Sequence, residues 1–87
     1  MKNLWLLSKN ADEETIALFA RTADRDDALV LIQDGVYLLA KQGFDPACPL
    51  YALRPDVSAR GIRTEANQIT YADLVDLILR YDRTITL

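Results

Sequence analysis

The chain holds one cysteine, Cys48, and no histidine, so covalent or proton-moving chemistry falls to that thiol, the carboxylates, the lysines and the tyrosines. A working thiolate needs a helix N-terminus or close cations. Cys48 stands instead between Ala47 and Pro49, in a loop over residues 42–49 punctuated by Gly43, Pro46 and Pro49, and Pro49 biases it toward extended backbone. The preferred reading is an unreactive, partly buried loop thiol, with a persulfide carrier as the sharper alternative. A lone cysteine rules out an internal disulfide. Without histidine no zinc or iron site of ordinary ligand type can be assembled, and neither a metal nor an organic cofactor is expected.

Among the carboxylates, Asp34 draws attention through its place in Gln33-Asp34-Gly35, directly after the apolar run Ala28, Leu29, Val30, Leu31, Ile32. An aspartate at the carboxyl end of a strand could serve as a general base. The same Asp-Gly pair is also what a tight turn or a helix N-cap requires, and the capping reading is preferred. One glycine here supplies neither the G-x-G-x-x-G spacing of a dinucleotide fold nor the G-x-x-x-x-G-K-S/T spacing of a phosphate loop. Arg54, Arg60 and Arg63 could form an anion site, but surface or interface pairing is the preferred role. Trp5, Tyr37, Tyr51 and Tyr71 fit either core packing or interface anchoring.

These groups must be positioned by elements that the hydrophobic pattern outlines. Residues 28–32 are apolar on both faces, as a central parallel strand covered by helices on either side would be. Shorter strands are predicted at residues 4–7, 50–53, around 68–69 and at 84–87. A first helix opens at Ala11-Asp12-Glu13-Glu14, three acids suiting its positive end, and turns Ile16, Phe19, Ala20 and Ala23 toward the sheet. The cluster Asp24-Arg25-Asp26-Asp27 reads as a solvated loop. A short helix over 36–41 follows the central strand, and one or two turns over 57–60 close at Gly61, a natural helix C-terminal glycine. Thr70 is placed to cap a last helix over 71–81, with Asp73 as its first-turn partner and Leu74, Val75, Leu77, Ile78 and Tyr81 as its apolar face.

Alternation of strand and helix predicts the α/β class: a single three-layer domain over residues 1–87, with an open, mainly parallel five-stranded sheet and helices on both faces. Ligands of such sheets bind at the carboxyl ends of the strands, which puts Gln33, Asp34 and Gly35 at the crevice. The 87 residues are 51% hydrophobic, a generous share for so small a domain, and an oligomer is expected. Thirteen acids against ten bases give a net charge of −3, and no Lys/Arg run tracks a phosphate backbone, so direct nucleic-acid binding is not expected. No apolar run approaches a signal peptide or a membrane span, so a cytoplasmic, membrane-free protein is expected.

Three segments taken together carry a resemblance: Leu29-Val30-Leu31-Ile32-Gln33-Asp34-Gly35-Val36-Tyr37; Leu50-Tyr51-Ala52-Leu53 with Asp56 and Ala59-Arg60-Gly61; and Ile69-Thr70-Tyr71-Ala72-Asp73-Leu74-Val75-Asp76-Leu77. Their order and spacing resemble the TusB/DsrH family of sulfur-relay subunits. The resemblance implies a DsrE-like fold and a complex with TusC/DsrF-like and TusD/DsrE-like subunits, arranged as a dimer of heterotrimers. It also implies a role in 2-thiolation of the tRNA wobble uridine, or in dissimilatory sulfur oxidation. Gln33, Asp34, Gly35, Arg60 and Gly61 match the family's motif, and are expected to shape the crevice or a subunit contact. The opening residues 4–9 lack the histidine of many members. Some DsrH-type members carry a cysteine near the position of Phe19 or Ala20, where this chain has none, so a non-catalytic subunit is expected. Two alternatives stand beside it: persulfide carriage through Cys48, and a stand-alone homo-oligomeric module binding a small anion or metabolite at the Gln33 and Arg54 loops.

Overall fold

A computed structural model describes all of residues 1–87. The elements run β1 (Asn3–Leu7), α1 (Glu13–Thr22), β2 (Ala28–Leu31), a 3-10 helix (Gln33–Ala40), β3 (Leu50–Leu53), α2 (Arg54–Ala59), β4 (Asn67–Ile69), α3 (Tyr71–Arg80) and β5 (Arg83–Thr86). The five strands form one sheet of order β4-β3-β2-β1-β5, and every neighbouring pair is parallel. The expected α/β architecture is therefore present, with the sheet parallel throughout.

Connection handedness explains the layers. The chain steps in one direction from β1 to β4, so right-handed crossovers place α1, the 3-10 helix and α2 on one face. From β4 it returns past β3, β2 and β1 to β5, which carries α3 to the opposite face. Side chains alternate accordingly. Trp5, Leu7, Leu29, Leu31 and Ala52 pack with Phe19, Val36, Leu38 and Val57, while Leu4, Ala28, Val30 and Leu53 pack with Ile69 and Leu77. All four residues of β2 are buried, as a strand covered on both faces requires. The indole of Trp5 meets the Phe19 ring edge to face at 5.5 Å, which settles Trp5 as core. Tyr37 and Tyr71 are exposed.

Several local expectations are corrected. Helix α1 begins at Glu13, with Asp12 as its N-cap: the Asp12 carboxylate accepts the Thr15 N–H at 2.8 Å, so two acids, not three, occupy the first turn. The segment after β2 is a 3-10 helix that already starts at Gln33. An eight-residue 3-10 helix rises about 16 Å against about 12 Å for an α-helix, so the tighter coil spans more of the sheet with the same residues. Helix α2 begins at Arg54, because Pro55, with its fixed φ and missing N–H, belongs in a first turn. Its end is a Schellman motif: Gly61 at φ +63° donates to Ser58 O at 3.2 Å and Ile62 donates to Val57 O at 3.2 Å.

Helix α3 runs to Arg80 and opens with a full capping box, Thr70 Oγ1 accepting the Asp73 N–H at 3.2 Å and the Asp73 carboxylate accepting the Thr70 N–H at 3.0 Å. These bonds hold the Asp73 carboxyl below the usual carboxylate range. Thr70→Ala should lower stability by about 1 kcal/mol in a urea melt, with the native spectrum retained. The predicted apolar face of α3 is buried only in part: Leu77 is covered, Leu74 and Tyr81 are half-covered, and Val75 and Ile78 are exposed. A lone helix on a five-stranded sheet has no lateral neighbour to cover its flank. No helix is long and apolar enough to cross a membrane.

Candidate functional site

At the carboxyl edge of the sheet, the 3-10 helix and α2 start side by side and their polar residues interlock. Gln33 has a left-handed backbone, φ 51°, uncommon outside glycine, asparagine and aspartate. Its N–H donates to Asp56 Oδ2 at 2.7 Å, so the start of the 3-10 helix is satisfied by a residue 23 positions away. Asp34 does not cap this helix. Ile32 occupies the N-cap without a side-chain bond, and Asp34 Oδ1 instead accepts from Arg60 Nε at 3.1 Å and Nη2 at 3.0 Å. Arg60 also donates from Nη1 to the Asp56 carbonyl at 3.3 Å and stands 3.6 Å from its carboxylate. The guanidinium carbon lies 5.9 Å from the centre of the Tyr37 ring.

Thus three of the five residues singled out by sequence, Gln33, Asp34 and Arg60, meet through Asp56. Gly61 ends the helix that carries Asp56 and Arg60. Gly35 lies beneath, buried against β1: a Cβ there would fall 2.0 Å from the Leu7 carbonyl oxygen. Asp56 and Tyr37 join the cluster from outside the motif residues, and the Asp56–Arg60 spacing of four along a helix is the sequence signal of a pair that can meet. Arg54 and Arg63 do not join Arg60. Arg54 Nη2 reaches only the Gln68 carbonyl, at 3.5 Å, and Arg60 is held by two carboxylates. The three arginines thus form no common anion site. With Asp34 well exposed, the Arg60–Asp34 pair stabilises the fold by at most about 1 kcal/mol. Its effect is to fix the direction of Asp34 and Tyr37 at the surface.

Cys48 lies at the other edge. It precedes β3, so it stands at the amino ends of the strands, where a cavity of about 340 Å³ opens between α1 and the 43–48 loop, lined by Phe19, Ala20, Ala23, Phe44 and Cys48. The thiol is 7% exposed. Burial first, then the negative charge of Asp27, pushes its pKa up, which disfavours the thiolate. Cys48 should therefore react with a thiol-alkylating reagent at pH 8 at least about tenfold more slowly than the same chain in denaturant. An equal rate in the two states would count against burial of this thiol. No group of three or more Cys, Asp or Glu side chains is placed to hold a metal ion.

Asp24, Arg25 and Asp26 are exposed, as a solvated loop requires, but Asp27 departs from that expectation. It is 1% exposed. Its Oδ1 accepts the Asn3 N–H at 2.9 Å, and its Oδ2 accepts the Trp5 indole N–H and the Asp24 N–H, each at 3.0 Å. Desolvation pushes this carboxyl up, but the three donors together outweigh it and hold its pKa below the ordinary value. The one signal available was Trp5, whose N–H needs an acceptor once the indole is buried.

The family model described as DsrH like protein matches residues 10–84. The chain is 41% identical over 86 residues to Protein TusB of Pectobacterium carotovorum, spanning 87% of each chain. It is 36% identical over 87 residues to Protein TusB of Pectobacterium parmentieri, again with 87% of each covered. Among solved structures, it is similar to a Thermotoga maritima protein described as a candidate sulfur transferase, with a TM-score of 0.72, 28% identity and coverage of 91% of this chain and 93% of that one. A second solution structure of that protein gives a TM-score of 0.71 at 30% identity, covering 88% and 91%.

Proposed function

Because the chain belongs to the DsrH family, matched over residues 10–84, we propose that it is the TusB-like subunit of a sulfur-relay complex and supports 2-thiolation of the tRNA wobble uridine. Its partners in this reading are a TusC/DsrF-like and a TusD/DsrE-like subunit, and the complex works in the cytoplasm, with the whole chain acting as one domain. The observation that carries the non-catalytic part of the reading is the state of Cys48. A relay cysteine must alternate between thiolate and persulfide at an accessible place. Here the only thiol is buried, faces a carboxylate charge and sits at the amino edge of the sheet. Sulfur carriage is thus assigned to a partner's cysteine. The Gln33, Asp34, Gly35, Arg60 and Gly61 cluster, held by Asp56, serves as a subunit contact, because it presents oriented polar side chains and Tyr37 without a nucleophile.

The test is co-expression of this chain with the two partner subunits, followed by size-exclusion chromatography with mass determination and an assay of tRNA thiolation. A defined complex containing all three chains is expected, and Cys48→Ser should keep both assembly and thiolation near the wild-type level. Loss of thiolation in an assembled Cys48→Ser complex would turn the reading toward a persulfide carrier. A folded chain that captures neither partner would remove the relay assignment.

A further inference from the structure

The relay reading makes no use of the cavity between α1 and the 43–48 loop, whose lining has a distinct chemistry. Its volume of about 340 Å³ is enough for a small molecule, since such sites run to about 300–1,000 Å³. Phe19 and Cys48 are buried at its floor, and Ile16 and Phe44 are half-buried in its walls. The Phe19 and Phe44 rings stand 6.5 Å apart at 45° to each other, forming an angled aromatic corner. Asp24 and Asp45 are the only charged residues of the lining, both exposed at the mouth, and neither forms an ion pair. Asp24 Oδ1 accepts the neighbouring Arg25 N–H at 2.8 Å, which leaves Oδ2 and the Asp45 carboxylate to water or a ligand. We propose that this cavity binds a small organic cation, a primary ammonium carried on an aromatic or aliphatic body.

Every source of field at the cavity has the same sign. Asp27 lies behind the lining, its Oδ2 accepting the Asp24 N–H at 3.0 Å. Burial and then the Asp27 charge push the Cys48 thiol up, so the floor disfavours a further negative charge and favours a positive one. The cavity also opens at the carboxyl end of α1, where the helix dipole is negative. No lysine or arginine lines it to offset these terms. The apolar walls gain by taking the body of the ligand out of water, and the carboxylates accept the ammonium N–H groups at the mouth. An aromatic face beside a cation adds to the attraction. An anion of the same shape would be repelled, and a neutral molecule would gain from burial alone. A protein segment is a poorer occupant, because an anchor pocket at a protein interface is ringed by further apolar contact. Here none of the exposed large apolar side chains lines the cavity. This site does not rest on the relay reading proposed above.

The probe is 2-phenylethylammonium chloride, titrated at neutral pH and low salt into the full chain with its backbone amides followed by NMR. Saturable shifts are expected at Ala20, Phe44 and Cys48. The uncharged 2-phenylethanol should bind at least about fivefold more weakly, and phenylacetate should give no saturable shift at those amides. Asp24→Asn combined with Asp45→Asn should weaken the ammonium by about fivefold and leave the alcohol within about twofold. Ala20→Trp, at an exposed helix position, should fill the cavity and abolish binding of both while circular dichroism stays native. No saturable shift at the three amides, equal affinity for the ammonium and the alcohol, or an Ala20→Trp chain that binds as wild type would each overturn the proposal. Ammonium binding by a chain that captures neither partner subunit would remove only the relay reading. Partner capture by a chain that does not bind the ammonium would remove only this one.

Discussion

Gly35→Ala should cost about 3 kcal/mol or more and lower the thermal midpoint by roughly 12 °C or more, the larger of the single-residue effects expected here. Backbone conformation is not the cause, since Gly35 does not sit at positive φ. Proximity is. An alanine Cβ would lie 2.0 Å from the Leu7 carbonyl oxygen and 2.7 Å from its carbon. That oxygen cannot step aside, because it already accepts the Ile32 N–H at 2.9 Å and belongs to a strand hydrogen-bonded on both sides. Either β1 or the 3-10 helix must shift, and Val36 and Leu38, both buried, would shift with the helix. Whole-domain stability for 87 residues is about 4–13 kcal/mol, so a loss of this size takes up much of it. The contrast is Gly61→Ala. Nothing lies within 4 Å of its added Cβ, and only the left-handed φ of +63° opposes it, at about 1 kcal/mol. Parallel urea melts of the two variants check the pair, and a Gly35→Ala loss below that of Gly61→Ala would mean that the helix start does not press on β1.

That contrast shows what the sequence could disclose. Strand β2 was legible because five consecutive apolar residues have few solutions other than a doubly covered strand. The capping box was legible because Thr70 and Asp73 are three residues apart and satisfy each other without outside help. Gly61 was legible for the same local reason. Features decided by distant partners were not. The turn at Gly35 is fixed by Leu7, the start of the 3-10 helix by Asp56, and Asp34 by Arg60, so a cap reading built on neighbours alone assigned Asp34 the wrong partner. Gln33, Asp34 and Arg60 converge in the structure, whereas Asp56 stands outside the motif residues because a carboxylate that accepts a backbone N–H 23 positions away leaves no trace in local spacing. Helix α3 was drawn with too wide a buried face because periodicity reports where apolar residues lie, and not whether the fold supplies enough neighbours to cover them.

Asp27 is the second position where one substitution should be severe, and pH gives an independent reading of it. Removing its carboxylate by Asp27→Ala strands the N–H groups of Asn3, Trp5 and Asp24 at a site that is 1% exposed. Each unsatisfied buried donor costs about 1–3 kcal/mol, and partial rehydration leaves an expected loss of about 3 kcal/mol in a urea melt. Asp27→Asn keeps the shape but turns one acceptor oxygen into a donor amide, so it should lose less than Asp27→Ala yet remain clearly below wild type. The folded carboxyl has its pKa lowered, so the unfolded chain binds the proton more readily. Its contribution is therefore fully present above the ordinary carboxylate pKa of about 4 and is lost as the pH falls through the lower folded value. Wild-type stability should drop on acidification below about pH 4, and Asp27→Asn should show a shallower drop over the same interval. It should not be flat, because Asp12 and Asp73 are lowered in the same direction by their helix caps. Identical acid profiles for wild type and Asp27→Asn would mean that folding leaves the pKa of this carboxyl where it is in the unfolded chain, the three donors only offsetting the desolvation.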